Sequence, residues 1–461
     1  MYRSPVASLR SKLERLDGSR LGPAPAPPAA PPEQREETPR ATSIEDLRRR
    51  IDAVLSRSAA RSATLPPAPA RQDDVADLPF QSVDTPTGPL HVRSLRLSAA
   101  HRTGRAPVLA AREASAPLLS LLALDPTLAG CSPRGALYLD TETTGLAGGT
   151  GTVAFLVGLA FWTDEADAVG GGDLVVEQLL VKNLGEEAPM LAHVAARLAA
   201  ASMLVTFNGK SFDMPLLRTR FAMARMPPPA EPPHLDLVHV ARRLHKIRGI
   251  ECRLTTIERE VLGFERVGDV GGGEVAACYL HYLRTRDPGL LIGVVEHNAW
   301  DVVAMAALVG LYGEPLDGAA QSLLTAEDLV GVARTLARAG ESERALDVAS
   351  RVVDGRSATA RPHGLRARAE IARARGERAR AMADFEALAA AVDDASVRLE
   401  LAKLYEHYVK APEQALAMAE RGTGEPAELA TKRRRRLATK VERAAASSKG
   451  QAKLFAGKRP R

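Results

Sequence analysis

Residues Leu137 to Gly145 read Leu-Tyr-Leu-Asp-Thr-Glu-Thr-Thr-Gly, an apolar strand-like run that ends in two carboxylates. Asp140 and Glu142 are two apart, so on a strand they point to one face. Two acids on one face repel unless a cation lies between them, and hard carboxylate oxygens suit Mg²⁺ or Mn²⁺. The stretch therefore belongs either to a sheet whose strand ends carry chemistry or to a surface strand with a solvated acidic pair. Two further segments favour the first.

In the first of these, Leu204-Val205-Thr206-Phe207 runs as an apolar strand into the polar turn Asn208-Gly209-Lys210-Ser211. Phe212-Asp213 then opens a helix through Leu216, Leu217 and Phe221, with Pro215 in the first turn, where a missing N–H costs little. Asp213 would project from a helix start near the strand ends, the usual place for chemistry in an α/β sheet. The second, His297-Asn298-Ala299-Trp300-Asp301, lies inside an apolar-periodic helix from Leu290 to Leu311. His297 and Asp301 are four apart and share one helical face. An acid and an imidazole on an otherwise apolar helix need partners to justify burial.

Asp-x-Glu, then Asn-x-x-x-Phe-Asp, then a basic residue shortly before a final Asp, resembles the DEDD superfamily of 3′–5′ exonucleases, and within it the YprB-type ribonuclease-H-like proteins. The resemblance rests on Leu139 to Gly149, Phe207 to Asp213, His234-Leu235-Asp236-Leu237 with Ala241-Arg242-Arg243-Leu244, and His297-Asn298 with Asp301. It covers about residues 134–311, with the motifs in the expected order. It implies that Asp140, Glu142, Asp213 and Asp301 bind two divalent ions, Mg²⁺ or Mn²⁺, and that His297 orients or deprotonates the attacking water. It also implies nucleic-acid contacts from Asn208, Lys210 and Phe212.

Two departures from the family pattern stand out. Such exonucleases place Tyr four residues, or His five, before the last Asp, whereas here His297 stands four before. One residue rotates a helical side chain by roughly 100°, so His297 is either the base or a residue that holds Asp301 in place. The second is Val270-Gly271-Gly272-Gly273, where a proline-containing turn is expected; it suggests a more flexible loop with no assigned function.

Competing motifs fail their own rules. Gly209-Lys210-Ser211 resembles the end of a phosphate-binding loop, but the Gly required five positions earlier is Leu204. Gly149-x-Gly151-x-x-Ala154 mimics a dinucleotide fingerprint yet precedes a strand-like run, not a helix, and so reads as a tight connection between strands. Asp236, His239 and His245 lack a compact four-ligand zinc spacing; Asp236 reads as a helix start and the histidines as surface or packing residues. Arg242, Arg243, Lys246, Arg248 and Arg253 form a basic cluster, either a solvated face or a phosphate track.

Strand signals at Ala136–Leu139, Val153–Phe161, Leu174–Val181 and Met203–Phe207 combine with a helix carrying Met190, Leu191, Val194 and Leu198. Further helices are expected over Leu235–Leu244, Leu254–Leu262 and Glu274–Arg284. That is the order of an α/β ribonuclease-H-like domain, a mixed sheet flanked by helices, over residues 134–311. Residues 81–133 extend it at the N-terminal side.

Residues 1–80 hold twelve of the 31 prolines and cannot bury enough apolar surface to offset their ordering entropy. They read as a disordered arm, with a short helix possible at 43–56, where Ile44, Leu47, Ile51, Val54 and Leu55 share a face. Over 320–425 the chain is alanine-rich and helical. Gly340-Glu341-Ser342-Glu343-Arg344-Ala345-Leu346 recurs as Gly376-Glu377-Arg378-Ala379-Arg380-Ala381-Met382, with a weaker echo at Pro412 to Leu416. A repeat near 34 residues resembles tetratricopeptide repeats; the alternative is an ordinary helical bundle. Residues 426–461 form a basic tail: the last 31 residues carry a net charge of +11, leaving −5 for the rest of a chain at +6. Such a tail attracts phosphates without reading sequence. Aromatic residues are scarce at 4%, which argues against extensive base stacking.

Three cysteines, scattered and odd in number, argue against a disulfide framework. No secretory signal is visible, and the apolar runs read as too short to span a bilayer. The expectation is a cytoplasmic, metal-dependent 3′–5′ exonuclease acting on DNA or RNA, with a possible protein partner at the repeats and no membrane. The competing expectation is a catalytically silent nucleic-acid-binding or scaffold protein acting through its helical repeats.

Overall fold

The computed structural model describes residues 78–456 except 99, 146–150, 167–171 and 317–322. The expected helix at 43–56, most of the expected arm, the last five residues and part of the glycine-rich connection after Gly145 lie outside the described residues.

Near-continuous apolar runs, buried on both faces, build the centre of the sheet. Its strands are β1 (Gln81–Thr85), β2 (Gly88–Leu97), β5 (Ala136–Thr143), β6 (Ala154–Ala166), β7 (Gly172–Leu180), β8 (Met203–Thr206) and β9 (His234–Asp236), while β3 (Arg102–Thr103) and β4 (Ala106–Pro107) pair apart from it. Among the described residues the sheet is seven-stranded, in the order β1-β2-β7-β6-β5-β8-β9. Pairing is antiparallel from β1 across to β5, then parallel at β5–β8 and β8–β9. The four expected strands are present within a few residues of their expected bounds. The expected N-terminal extension supplies β1 and β2, which continue the sheet beyond β7. Leu78 and Phe80 are buried against Phe155, Tyr279 and Leu291, so the expected end of the arm at residue 80 shifts to before Leu78.

Helices cover both faces. On one, Tyr138, Ala160, Val176 and Val205 pack under α1 (Ala116–Ala123), α4 (Leu237–Leu244) and α7 (Gly289–Tyr312). On the other, Leu137, Leu139, Leu159, Leu179 and Leu204 meet α2 (Ala188–Ala200) and α3 (Asp213–Met223). Each fully buried Leu or Val contributes roughly 1.5–3 kcal/mol. α5 (Leu254–Ile257) runs on into a π-helical turn at Glu258–Leu262, and α6 (Val275–Thr285) follows. One sequence expectation needs correction: α7 has 24 residues and is apolar enough, by length and composition, to cross a bilayer. It is instead the central core helix: its apolar surface is buried between the sheet, the turn at Val108–Ala111, α1, α4 and α6, ahead of the helices that follow it in the chain.

Those helices form antiparallel hairpins: α8 (Ala326–Arg338) with α9 (Ser342–Asp354), α10 (Ala360–Ala374) with α11 (Arg378–Ala391), and α12 (Ala395–Leu404) with α13 (Pro412–Glu420). The repeated Gly-Glu pairs end α8 and α10 in the same way. Gly340 and Gly376 have φ +93° and +82°, and the next N–H, of Glu341 or Glu377, reaches back to Leu336 or Ala372 at 2.9 Å, a C-cap that favours glycine. The third turn departs from this, with a π turn at Tyr405–Val409 and Lys410 at φ +62°. The expected basic tail is a helix, α14 (Ala427–Ala456). Its first half is docked: Leu437 is buried against Ala415 and Ala419, Arg436 pairs with Glu406 at 2.7 Å and Arg433 with Glu425 at 2.8 Å.

The sheet domain and the helical array share one apolar core. At their contact His245 is fully enclosed, with Nδ1 2.7 Å from Asp328 Oδ1 and Nε2 2.8 Å from the Tyr312 hydroxyl. Thr325 and Asp328 form a capping box on α8. Gly331 lies so close to α4 that a Cβ there would stand 2.3 Å from the Leu244 carbonyl oxygen.

Candidate active site

β5 delivers the first two acids. Tyr138, Asp140 and Glu142 share the face that looks toward α7, whereas Thr141 looks toward α3. The β5–β6 register shifts between Glu142 and Thr143, directly beside the acids, an irregularity that re-aims side chains at strand ends. After β8 the chain turns through Asn208, at φ +72°, and places Asp213 in the first turn of α3. The Thr141 hydroxyl donates to Asp213 Oδ1 at 2.6 Å. α7 brings His297 and Asp301 over the same strand end. Ligand atoms of Glu142, His297 and Asp301 lie within 4.8 Å of one another; His297 Nε2 is 3.6 Å from Asp301 Oδ2 and 3.9 Å from Glu142 Oε1. The structure thus brings Glu142 together with His297 and Asp301, while Asp140, bonded by Asn298, and Asp213, bonded by Thr141, stand outside that group of ligand atoms.

The electrostatics report excess negative charge. Burial, then Asp301, Glu142 and Asp213, push the Asp140 carboxyl well above its usual range, against a 2.9 Å donation from the Asn298 amide. Burial raises Glu142 to about 8, with Asp301 and Asp213 adding to it and His297 opposing. Burial raises Asp213 to about 6 despite its Thr141 bond. Buried like charges behave this way when no cation balances them. Carboxylates with one imidazole form a donor set that fits a hard divalent ion.

Sequence reading missed the residues that frame His297. Asp269 Oδ1 is 2.5 Å from His297 Nδ1. A carboxylate can only accept, so this contact turns Nε2 toward Glu142 and Asp301. Burial opposes the charge on His297, but the Asp269 bond and the carboxylates of Asp301 and Glu142 raise it to about 9. Arg266, almost fully enclosed, forks onto Glu258 at 2.6 and 2.7 Å and also pairs with Asp301. Arg266 and Asp269 immediately precede the Val270–Gly273 run to which no function was assigned. Their only signal is two opposite charges three residues apart beside a glycine-rich turn.

The expected nucleic-acid contacts divide. The Asn208 and Lys210 N–H groups donate to Asp236 at 2.7 and 3.0 Å, so Asp236 fixes this turn as well as capping α4. Lys210 points outward, 3.6 Å from Asp125, and Phe212 is half-buried just before α3. Arg242 is exposed, as is Arg253, which pairs with Glu251 at 2.7 Å. Arg243 is placed differently: its guanidinium donates to the Leu122 and Ala123 carbonyls and closes the C-terminus of α1. Arg248 bonds Asp328 and the Glu260 carbonyl. Both therefore serve the architecture. His239 is half-buried, with Nε2 4.0 Å from Asp236 Oδ2.

The sheet order and the convergent acids define a ribonuclease H-like domain: residues 137–312 match the RNase_H_2 model, described as RNase_H superfamily. That superfamily supports a nuclease-type function with nucleic acid as substrate. The chain is also 28% identical over 319 residues to "Uncharacterized protein YprB" of Bacillus subtilis (strain 168), an alignment covering 68% of this chain and 75% of that protein.

Proposed function

We propose that the protein is a metal-dependent 3′–5′ exonuclease that hydrolyses phosphodiester bonds with two divalent ions, Mg²⁺ or Mn²⁺. The observation that carries this reading is the placement of Asp140, Glu142, Asp213 and Asp301 with His297 at one strand end, where burial first and then neighbouring carboxylates raise the Asp140 and Glu142 carboxyls above their ordinary range. The four acids would hold the ions, which supply an activated water and neutralise phosphoryl charge when bound. Asp269 keeps His297 Nε2 facing the acids, where it orients or takes the proton of the attacking water. Asn208, Lys210, Phe212, Arg242 and Arg253 would follow the nucleic-acid strand. The near-identical turns at Gly340 and Gly376 support a tetratricopeptide-like array that binds a protein partner. We place the protein in the cytoplasm.

One observation favours the competing reading of a catalytically silent nucleic-acid-binding scaffold. Arg266 already pairs with Asp301, and His297 carries a second positive charge into the cluster. The test is incubation of end-labelled single- and double-stranded DNA and RNA with Mg²⁺, Mn²⁺ or EDTA, beside a D140A variant. Stepwise shortening from the 3′ end that needs both metal and Asp140 is expected. Internal cuts would replace the exonuclease with an endonuclease. No cleavage, with no metal binding, would leave the scaffold.

A further inference from the structure

Four laterally paired residues cross the sheet at the level of Asp140. Arg93 on β2 pairs with Gln178 on β7, Gln178 with Gly158 on β6, and Gly158 with Asp140 on β5. The row therefore reads Arg, Gln, Gly, Asp on the face under α7. Gly158 leaves a gap in it, and Asn298 of α7 fills that gap: a Cβ on Gly158 would stand 2.3 Å from Asn298 Oδ1. The resulting chain is continuous. Arg93 Nη1 donates to Gln178 Oε1 at 2.9 Å, Gln178 Nε2 to Asn298 Oδ1 at 3.0 Å, and Asn298 Nδ2 to Asp140 Oδ2 at 2.9 Å. Gln178 and Asn298 are wholly buried, and Gln178 Nε2 also donates to the Val295 carbonyl at 2.6 Å, tying α7 to the sheet.

The two ends of the chain set its direction. A guanidinium only donates, so Gln178 must turn its carbonyl to Arg93 and its NH₂ to Asn298. Asn298 must then accept with its carbonyl and present NH₂ to Asp140. Neither amide can flip without placing like groups face to face. We propose that this rung of Arg93, Gln178 and Asn298 fixes the polarity of the Asn298 amide, so that it holds Asp140 Oδ2 and leaves Oδ1 for a divalent cation. Gln178 and Asn298 are then positioning residues for that ion. The inference rests on the metal-nuclease reading, and it deepens that reading by assigning work to residues outside the acidic motifs.

Polarity makes the rung testable. In Q178E the new carboxylate accepts only, so Asn298 is driven to give it NH₂ and to turn its own carbonyl against Asp140. G158A displaces Asn298 directly. The experiment is Mn²⁺ titration by calorimetry on the full chain, for wild type, D140N, Q178E, G158A, N298A and the G158A/N298A double variant, with a thermal melt of each. Loss of an outer hydrogen-bond partner weakens metal binding by about 10–100-fold, and that loss is expected for Q178E, G158A and N298A. The double variant is expected to bind no worse than N298A alone, because both changes remove one interaction. R93M, altered at a half-buried position, carries the same test should the buried variants melt early, and a several-fold loss is expected of it. Wild-type affinity in folded Q178E, G158A or R93M, or independent addition of the G158A and N298A effects, would overturn the rung while leaving Asp140-dependent binding intact. Absence of Asp140-dependent Mn²⁺ binding in the wild type would overturn the nuclease reading and the rung together.

Discussion

Glu142 and Glu406 are both buried glutamates, yet their environments push them in opposite directions. Glu142 stands among Asp140, Asp213 and Asp301, and burial with that company raises it to about 8. Glu406 lies on the π turn after α12. Burial opposes its charge, but Arg436 and Lys440 hydrogen-bond it and lower it to about 2. The same contrast separates their regions. In the helical array Asp384 forks onto Arg368 at 2.7 and 2.9 Å, and Glu425 onto Arg433 at 2.8 Å. A buried acid with a matched cation is architecture. Acids left to repel one another oppose folding, and they persist where an ion or substrate balances them.

The sharpest way to break this comparison is a pair of isosteric neutralisations. E142Q is expected to lower nuclease turnover by on the order of 10²–10³-fold while leaving the metal-free melting temperature unchanged or higher, because it removes a repelling charge. E406Q is expected to leave turnover intact and to cost about 1–3 kcal/mol, less than a fully enclosed pair, since Arg436 and Lys440 are half exposed. A destabilised E142Q would place Glu142 with the structural acids.

H245A tests the junction between the regions. Its loss leaves Asp328 enclosed with Arg248 and the Thr325 N–H as partners, and a buried polar group that loses one hydrogen-bond partner costs about 1–3 kcal/mol. Urea unfolding followed by hydrogen exchange is expected to detach α8 and α9 first. Retention of wild-type protection in α8 would show that apolar packing alone joins the regions.

Titration sharpens the contrast further. The folded Glu142 value of about 8 lies above its ordinary range, so between the two the folded protein holds a proton that the unfolded chain has released. Stability in EDTA is therefore expected to fall as pH rises from about 5 to about 8. His297, raised to about 9, acts in the same sense, since its contribution is full below 6.5 and lost as pH rises through about 9. Glu406 contributes across that whole window and loses its share only as pH falls through about 2. Melting temperatures measured in EDTA and in Mn²⁺ check this, with the decline expected to disappear in Mn²⁺, which needs the ionised ligands. A flat EDTA profile would remove the charge imbalance assigned to the site.

The smallest expected effect concerns α14. Lys432 and Arg435 are exposed on its outer side, and K432E/R435E is expected to weaken nucleic-acid binding modestly, with a shallower salt dependence. Unchanged binding at low salt would assign the helix's charge to solubility.

Much of the sheet and its acids was legible because the signals are local. Asp140 and Glu142 end one apolar run, Asp213 opens one helix, and His297 and Asp301 lie one turn apart. Contacts that depend on register or on remote loops left no such trace. Asn298 acquires its role only because Gly158 lies opposite Asp140, a pairing two strands must make before it exists. Asp269 and Arg266 reach the site from a loop whose glycines drew attention to flexibility. For a related reason the sequence did not tell which residues of the cluster from Arg242 to Arg253 face solvent. Sequence counts cations without saying which are already engaged, and here Arg243 closes α1 while Arg248 bonds Asp328. Strands β1 and β2 escaped notice because the edge strand and its neighbour lie mostly exposed or half-buried and carry a weak alternation.

The near-contact of Gly331 with the Leu244 carbonyl also determines how the molecule can be taken apart. No side chain lies between the two backbones there to act as a cushion, so the seat of the helical array is shaped by main chain. Transplanting the array onto another protein would require Arg243, Leu244 and His245 to travel with it as a socket. Without them, the hairpins would arrive with Asp328 buried and nothing shaped to receive it.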